Sequence, residues 1–142
     1  MTMTFGAAAK QRNAYGREAV LSATPIRLLT MLYDRLLLDL GRAEAAQNQG
    51  SWATASENLV HAQAIVSELT TSLRVELWEG GVELQALYTY VSVALVNANV
   101  HRDVALTRES IVLLEPLRQA WHEAAALVPA APAAFGGSLG VA

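Results

Sequence analysis

Apolar residues crowd the segment that follows Thr24. Ile26, Leu28, Leu29, Met31, Leu32, Tyr33, Leu36, Leu37, Leu38 and Leu40 cover more than one side of any helix built there. A helix that buries one face needs only one apolar stripe, so the surplus must meet more of the chain or a partner. Thr24 is a good N-cap and Pro25 a good first helical residue, because the N–H that proline lacks has no intrahelical partner to lose. Gly50 suits the position just past a helix end, so the first helix is expected from Pro25 to about Gln49. Ser51 can cap a second helix. Its apolar positions Trp52, Ala55, Leu59, Ala62, Val66, Leu69 and Leu73 alternate steps of three and four, the spacing of a bundle seam.

Gly80-Gly81 breaks the chain, and Leu84, Tyr88, Val91, Leu95 and Ala98 repeat the same spacing in a third helix. His101 to Asp103 reads as a short connection or cap. A fourth helix spans about Val104 to Leu127, with Pro116 inside it to bend it or force local repair of the hydrogen-bond ladder. Residues 1–23 hold no sustained period and read as a flexible N-terminal arm, with room for a short extra helix near Ala14 to Leu21. Residues 128–142 are uncharged and rich in Ala, Gly and Pro, a low-complexity tail expected to be disordered. Nothing alternates with period two. The expected fold is all-α, an antiparallel up-down-up-down four-helix bundle over residues 24–127.

Composition narrows the function. The chain of 142 residues suits one domain with a real core, and 53% hydrophobic residues exclude wholesale disorder. Charged residues reach only 16%, against about 25% in typical soluble domains, so exposed apolar area is expected. The net charge of −3 and the single lysine, Lys10, do not form the basic footprint of a nucleic-acid binder. Without cysteine there is no disulfide, thiolate metal site or thiol nucleophile. Lys10, Arg12 and Arg17 follow the weakly apolar first residues instead of preceding them, unlike a secretory signal. No uncharged apolar stretch of about 18 residues precedes the tail, so no membrane insertion and a cytoplasmic location are expected.

Three apparent motifs fail on context. Gly136-Gly137-Ser138-Leu139-Gly140 fits a nucleophile elbow, but no strand precedes it and no histidine follows. His101-Arg102-Asp103 echoes a kinase catalytic loop, yet the chain is too short and Arg108 stands where that loop needs asparagine. A di-iron bundle needs Glu-x-x-His pairs; the residues three before His61, His101 and His122 are Asn58, Ala98 and Gln119. The histidines are expected to be exposed or locally hydrogen-bonded, and Glu109 and Glu115 to be a solvated helix face. No active site or cofactor is expected.

An ordered set of short motifs remains. Ala14-Tyr15, Val20, Ala23-Thr24-Pro25 and Met31-Leu32-Tyr33-Asp34 come first. Ala62 to Leu69 follow, then Leu87-Tyr88-Thr89-Tyr90 with Leu95 and Ala98-Asn99, then Asp103, Leu117 to Trp121 and Ala124. In this order and spacing they resemble the flagellin export chaperone family, FliS, over about residues 14–125. The third helix departs in carrying Thr89 where the family commonly has an acid between its tyrosines. The resemblance implies a cytoplasmic four-helix bundle without cofactor. It implies binding of the disordered C-terminal segment of flagellin, prevention of premature polymerisation, and delivery to the type III export gate. The contacts it implies are Tyr15, Val20, Pro25, Met31, Tyr33, Ile65, Tyr88 and Asn99, with Leu69 and Trp121 equally suited to the core. Part of the first helix's apolar surplus would then be a groove for amphipathic segments. A mostly monomeric protein, at most a weak dimer, is expected. The rival from another class is a structural homo-oligomeric bundle, and a metal-dependent bundle enzyme stands behind it.

Overall fold

The structure, a computed structural model, describes residues 23–77 and 79–129. The expected extra helix near Ala14 to Leu21 and nearly all of the arm and tail lie outside these residues. Four α-helices are present among them: α1 Pro25–Asn48, α2 Trp52–Ser72, α3 Gly81–Val100 and α4 Val104–Ala126, with a short 3-10 turn at Val75–Leu77 between α2 and α3. No strand occurs among the described residues.

The helix ends follow from local hydrogen bonding. At the start of α1 the Thr24 hydroxyl accepts the Arg27 N–H at 3.4 Å, and the Thr24 carbonyl accepts from Leu28 at 2.9 Å, as an N-cap should. At its end the Gly50 N–H donates to Gln47 and the Ser51 N–H to Ala46, with Gly50 at φ 72. That pair of bonds is the Schellman motif, which needs a left-handed residue and favours glycine. The end of α3 repeats it residue for residue: Arg102 donates to Asn99 and Asp103 to Ala98, but the left-handed position is Arg102, at φ 53. Asp103 then caps α4 by accepting the Ala105 N–H at 3.0 Å. Ser51 occupies the N-cap of α2 without a side-chain capping bond, so the expected cap is positional only. Pro116 lies inside α4 on an exposed position, where water can reach the carbonyl it leaves unbonded.

Two compact units divide the described residues: 31–120, and 23–30 with 121–129. Within the larger unit the cross-links give helix directions. Asp39 of α1 meets His61 of α2 across the first hairpin. Asp34 and Glu44 of α1 take Arg118 and Arg108 of α4, so early positions of one helix meet late positions of the other. Tyr33 meets Tyr88, and Gln47 meets the Ala98 carbonyl, so α1 and α3 run the same way. The expected up-down-up-down order holds. Every position of the α3 seam, Leu84, Tyr88, Val91, Leu95 and Ala98, is buried, as are Ala55, Leu59, Ala62, Val66 and Leu69 of α2. Polar groups inside are paired: the Thr107 hydroxyl donates to Gln47 at 2.7 Å while the Gln47 amide donates to Ala98, tying α4, α1 and α3 together.

Candidate functional site

After Glu83, α3 carries no charged side chain to its end at Val100. One of its faces is the buried seam. The opposite face carries Val82, Val93, Val96 and Val100, all exposed, Val93 by 56% and Val100 by 68%. These valines recur at helical spacing with Ala86 and Thr89, so α3 is apolar on both sides. Exposed Val60 on α2 adds to the surface. Contiguous exposed apolar area of this kind marks binding sites in soluble proteins.

Two hollows lie on the seam between α2 and α3. One, of about 420 Å³, sits where α2 begins and α3 ends, between Trp52, Ser56 and Leu59 on one side and Ala98, Asn99 and Val100 on the other, with Gln47 and Arg102. The other, of about 230 Å³, lies toward the opposite end, between Ser67 and Thr70 of α2 and Tyr88, Thr89, Ser92 and Val93 of α3. From Trp52 to Thr70 the seam extends about 27 Å at helical rise. Its small hydroxyl residues allow close approach, and no acidic side chain among the described residues lines either hollow. The arrangement can take an amphipathic helix laid along it.

The expected contact residues fall into distinct environments. Tyr33 and Tyr88 are core residues, their hydroxyls 2.6 Å apart. Burial first, then the neighbouring Tyr33, pushes the Tyr88 phenol well above its ordinary value, so it stays neutral. Tyr88 also forms the floor of the smaller hollow. Ile65 is buried in α2. Asn99 is half-buried in the wall of the larger hollow. Met31 is 39% exposed on α1, and Pro25 is exposed at its start. Tyr15 and Val20 lie outside the described residues. Asn99 and Tyr88 are thus the expected residues that meet the α2–α3 seam. The exposed valines, Trp52 and Arg102 were not among the expected contacts, although the missing charge along α3 was a readable signal.

Elsewhere several polar groups are paired. Asp39, fully buried, accepts from Arg35 Nε at 3.0 Å and pairs with His61 Nδ1. The Tyr90 hydroxyl donates to Glu109 at 2.7 Å, and this bond foremost raises its pKa. Arg118 bridges Glu115 and Asp34, each at 3.0 Å, and its hydrogen bond foremost, then that of Gln119, lowers the Glu115 pKa. Among the described residues no group of His, Asp and Glu could hold a metal ion, and no helix is long and apolar enough to cross a membrane.

A family model described as flagellar protein FliS matches residues 7–128. The chain belongs to the FliS family. The flagellar secretion chaperone FliS of Bacillus subtilis (strain 168) is 32% identical over 111 residues, covering 78% of this chain and 83% of the relative. That of Escherichia coli (strain K12) is 33% identical over 125 residues, covering 82% and 90%. That of Salmonella typhimurium is 33% identical over 109 residues, covering 74% and 79%. A crystal structure of a flagellar chaperone from bacteria shares the fold, with a TM-score of 0.66 at 20% identity over 82% of this chain and 98% of that one. Membership of the FliS family gives the chain a chaperone role in flagellar export.

Proposed function

We propose that this FliS-family chain binds the disordered C-terminal segment of newly made flagellin in the cytoplasm and holds it along the α2–α3 seam. Binding keeps flagellin from polymerising early and hands it to the flagellar type III export apparatus. The observation that carries this reading is the uncharged α3 face with exposed Val93, Val96 and Val100 beside two hollows. A chain that is disordered when alone pays its ordering entropy on binding, and apolar burial along the seam must exceed it. Tyr88 and Ile65 would support the seam from within, and Asn99 would line it. Met31 and Pro25 on α1, with Tyr15 and Val20 on the arm, stay with the proposal as the contacts that the family resemblance implies; Tyr33, fully buried, would act only through its hydrogen bond to Tyr88.

Calorimetry with a peptide of the flagellin C-terminus tests it. The peptide is expected to bind with a negative heat-capacity change and to gain helix. Val93→Glu, which would force a carboxylate against apolar side chains, is expected to weaken binding by more than about tenfold. Undiminished binding to V93E would remove the seam from the proposal. Absence of peptide binding, with concentration-dependent self-association, would favour the structural homo-oligomer.

A further inference from the structure

We propose that the hollow between Trp52 and Arg102 is a carboxylate-binding subsite, shaped for a carboxylate that adjoins an aliphatic side chain. The inference deepens the seam reading and rests on it only for the identity of a long ligand. The hollow's volume of about 420 Å³ falls within the range of ligand pockets, about 300–1,000 Å³. Its floor is apolar, with Ala55, Leu59 and Ala98 buried. Among the described residues, Arg102 is the only charged one in its wall. The guanidinium carbon lies 5.1 Å from the Trp52 ring centroid, and the side chain makes no ion pair or hydrogen bond among the described residues. Stacking of this kind leaves the in-plane N–H donors of an arginine available to a carboxylate.

The neighbouring polar groups divide into two sets. Gln47 is committed at both ends of its amide, to Ala98 and Thr107. Asp103, the nearest acid in sequence, is committed to the first turn of α4. Ser56 and Asn99 have no side-chain partner among the described residues and face the same hollow. The charge balance of the wall is therefore positive, with unspent donors beside an apolar floor. The turn that carries Arg102 is of the same kind as the one in which Gly50 closes α1. Arginine in the left-handed region is strained where glycine is not. A glycine substitution at this position therefore removes the guanidinium while leaving the turn at ease.

The rest of the seam is uncharged, so one cationic end would give a bound helix a direction. The C-terminal end of a helix is its negative end and belongs at Arg102. The carboxylate can be the end of the bound chain or an Asp or Glu side chain near it.

The first arm of the test needs no flagellin. Full-length protein is titrated with N-acetyl-leucine and with N-acetyl-leucinamide while the Trp52 indole N–H and the Asn99 amide are followed by NMR. The acid is expected to bind at least about tenfold more tightly than the amide, as a charge-assisted bond requires. Arg102→Gln and Arg102→Gly, both checked for a melting transition no lower than that of wild type, are expected to erase that difference. Equal binding of acid and amide to wild type, or an undiminished preference in R102G, overturns the proposal. The second arm uses the flagellin C-terminal peptide as free acid and as C-terminal amide. Weaker binding of the amide that disappears in R102Q identifies the chain end. Equal binding of the two peptides, both weakened in R102Q, identifies an acidic side chain. Failure of both peptides while the leucine acid preference holds removes the seam reading and keeps the subsite. Peptide binding indifferent to R102Q, with no acid preference, keeps the seam and removes the subsite.

Discussion

Asp39 is the only fully buried carboxylate among the described residues. Its two partners, Arg35 and His61, are each half-exposed. Either can be lost while the other still compensates the charge, but losing both strands an anion in the core. His61→Ala is expected to destabilise the protein by about 1.5 kcal/mol, the worth of one hydrogen bond to a charged group. The double substitution R35A/H61A is expected to cost about 3–5 kcal/mol, more than the two singles added, as the penalty for an uncompensated buried charge demands. Urea unfolding of the three variants measures this, and strict additivity would contradict it. In the sequence Asp39 is one of several acids on α1, and nothing local tells it from Asp34, which is exposed. Likewise Tyr33 reads as a surplus aromatic until Tyr88, distant in sequence, is placed against its hydroxyl.

The helices were legible to within a residue or two because their ends rest on nearby chemistry. Thr24-Pro25 starts α1, Gly50 ends it, and Gly80-Gly81 opens α3. Gly81 has a further reason to be glycine that only packing reveals. A Cβ there would lie 2.6 Å from the Val75 carbonyl oxygen, because the 3-10 turn presses its backbone against the start of α3. Gly81→Ala is expected to lower stability by about 2 kcal/mol, as overpacking against unyielding backbone does; an unchanged denaturation midpoint would count against that close approach. Between α1 and α4, the Arg118 clamp lowers the Glu115 pKa, its folded value lying below the unfolded one. The contribution is therefore present at neutral pH and is lost as pH falls through the lowered folded value. With each side chain about a third exposed, the pair is still open to solvent screening and is worth at most about 1 kcal/mol. The stability gap between wild type and Glu115→Gln should be open at pH 7 and should close as pH falls below the ordinary glutamate range and through the lowered folded value.

Across the molecule, the low charge content becomes a particular surface. The expected apolar excess is only thinly present on α1, where Met31 and Leu38 are its exposed members; α3 carries the largest share, with Val60, Leu77, Val112 and Leu127 exposed outside it. A face of this kind must be covered by a ligand, by a second copy, or left wet with a tendency to associate. We expect a protein that sediments mostly as a monomer at micromolar concentration and self-associates weakly as concentration rises. Val93→Glu should suppress that association along with peptide binding. Because Val93 is exposed, the same substitution should change unfolding free energy by no more than about 0.5 kcal/mol. A large loss of stability in V93E would mean that the valine is covered within the protein.

The chain's own order of residues determined where helices start and stop, which stripes of α2 and α3 turn inward, and the family to which the protein belongs. Caps, turns and seam spacings act within one or two helical turns, so each is complete in a short stretch of sequence. What the sequence left open was the use of residues on helices that are apolar on two sides. For α3 both faces satisfy the hydrophobic rule, and the neighbours α1, α2 and α4 decide that Leu84 and Leu95 are covered while Val93 and Val100 are not. Arg102 reads as part of a polar link, and only the folding of α2 beside the end of α3 lays it over Trp52. Such assignments depend on residues about 50 apart in the chain, and pattern within one helix carries no information about its neighbours.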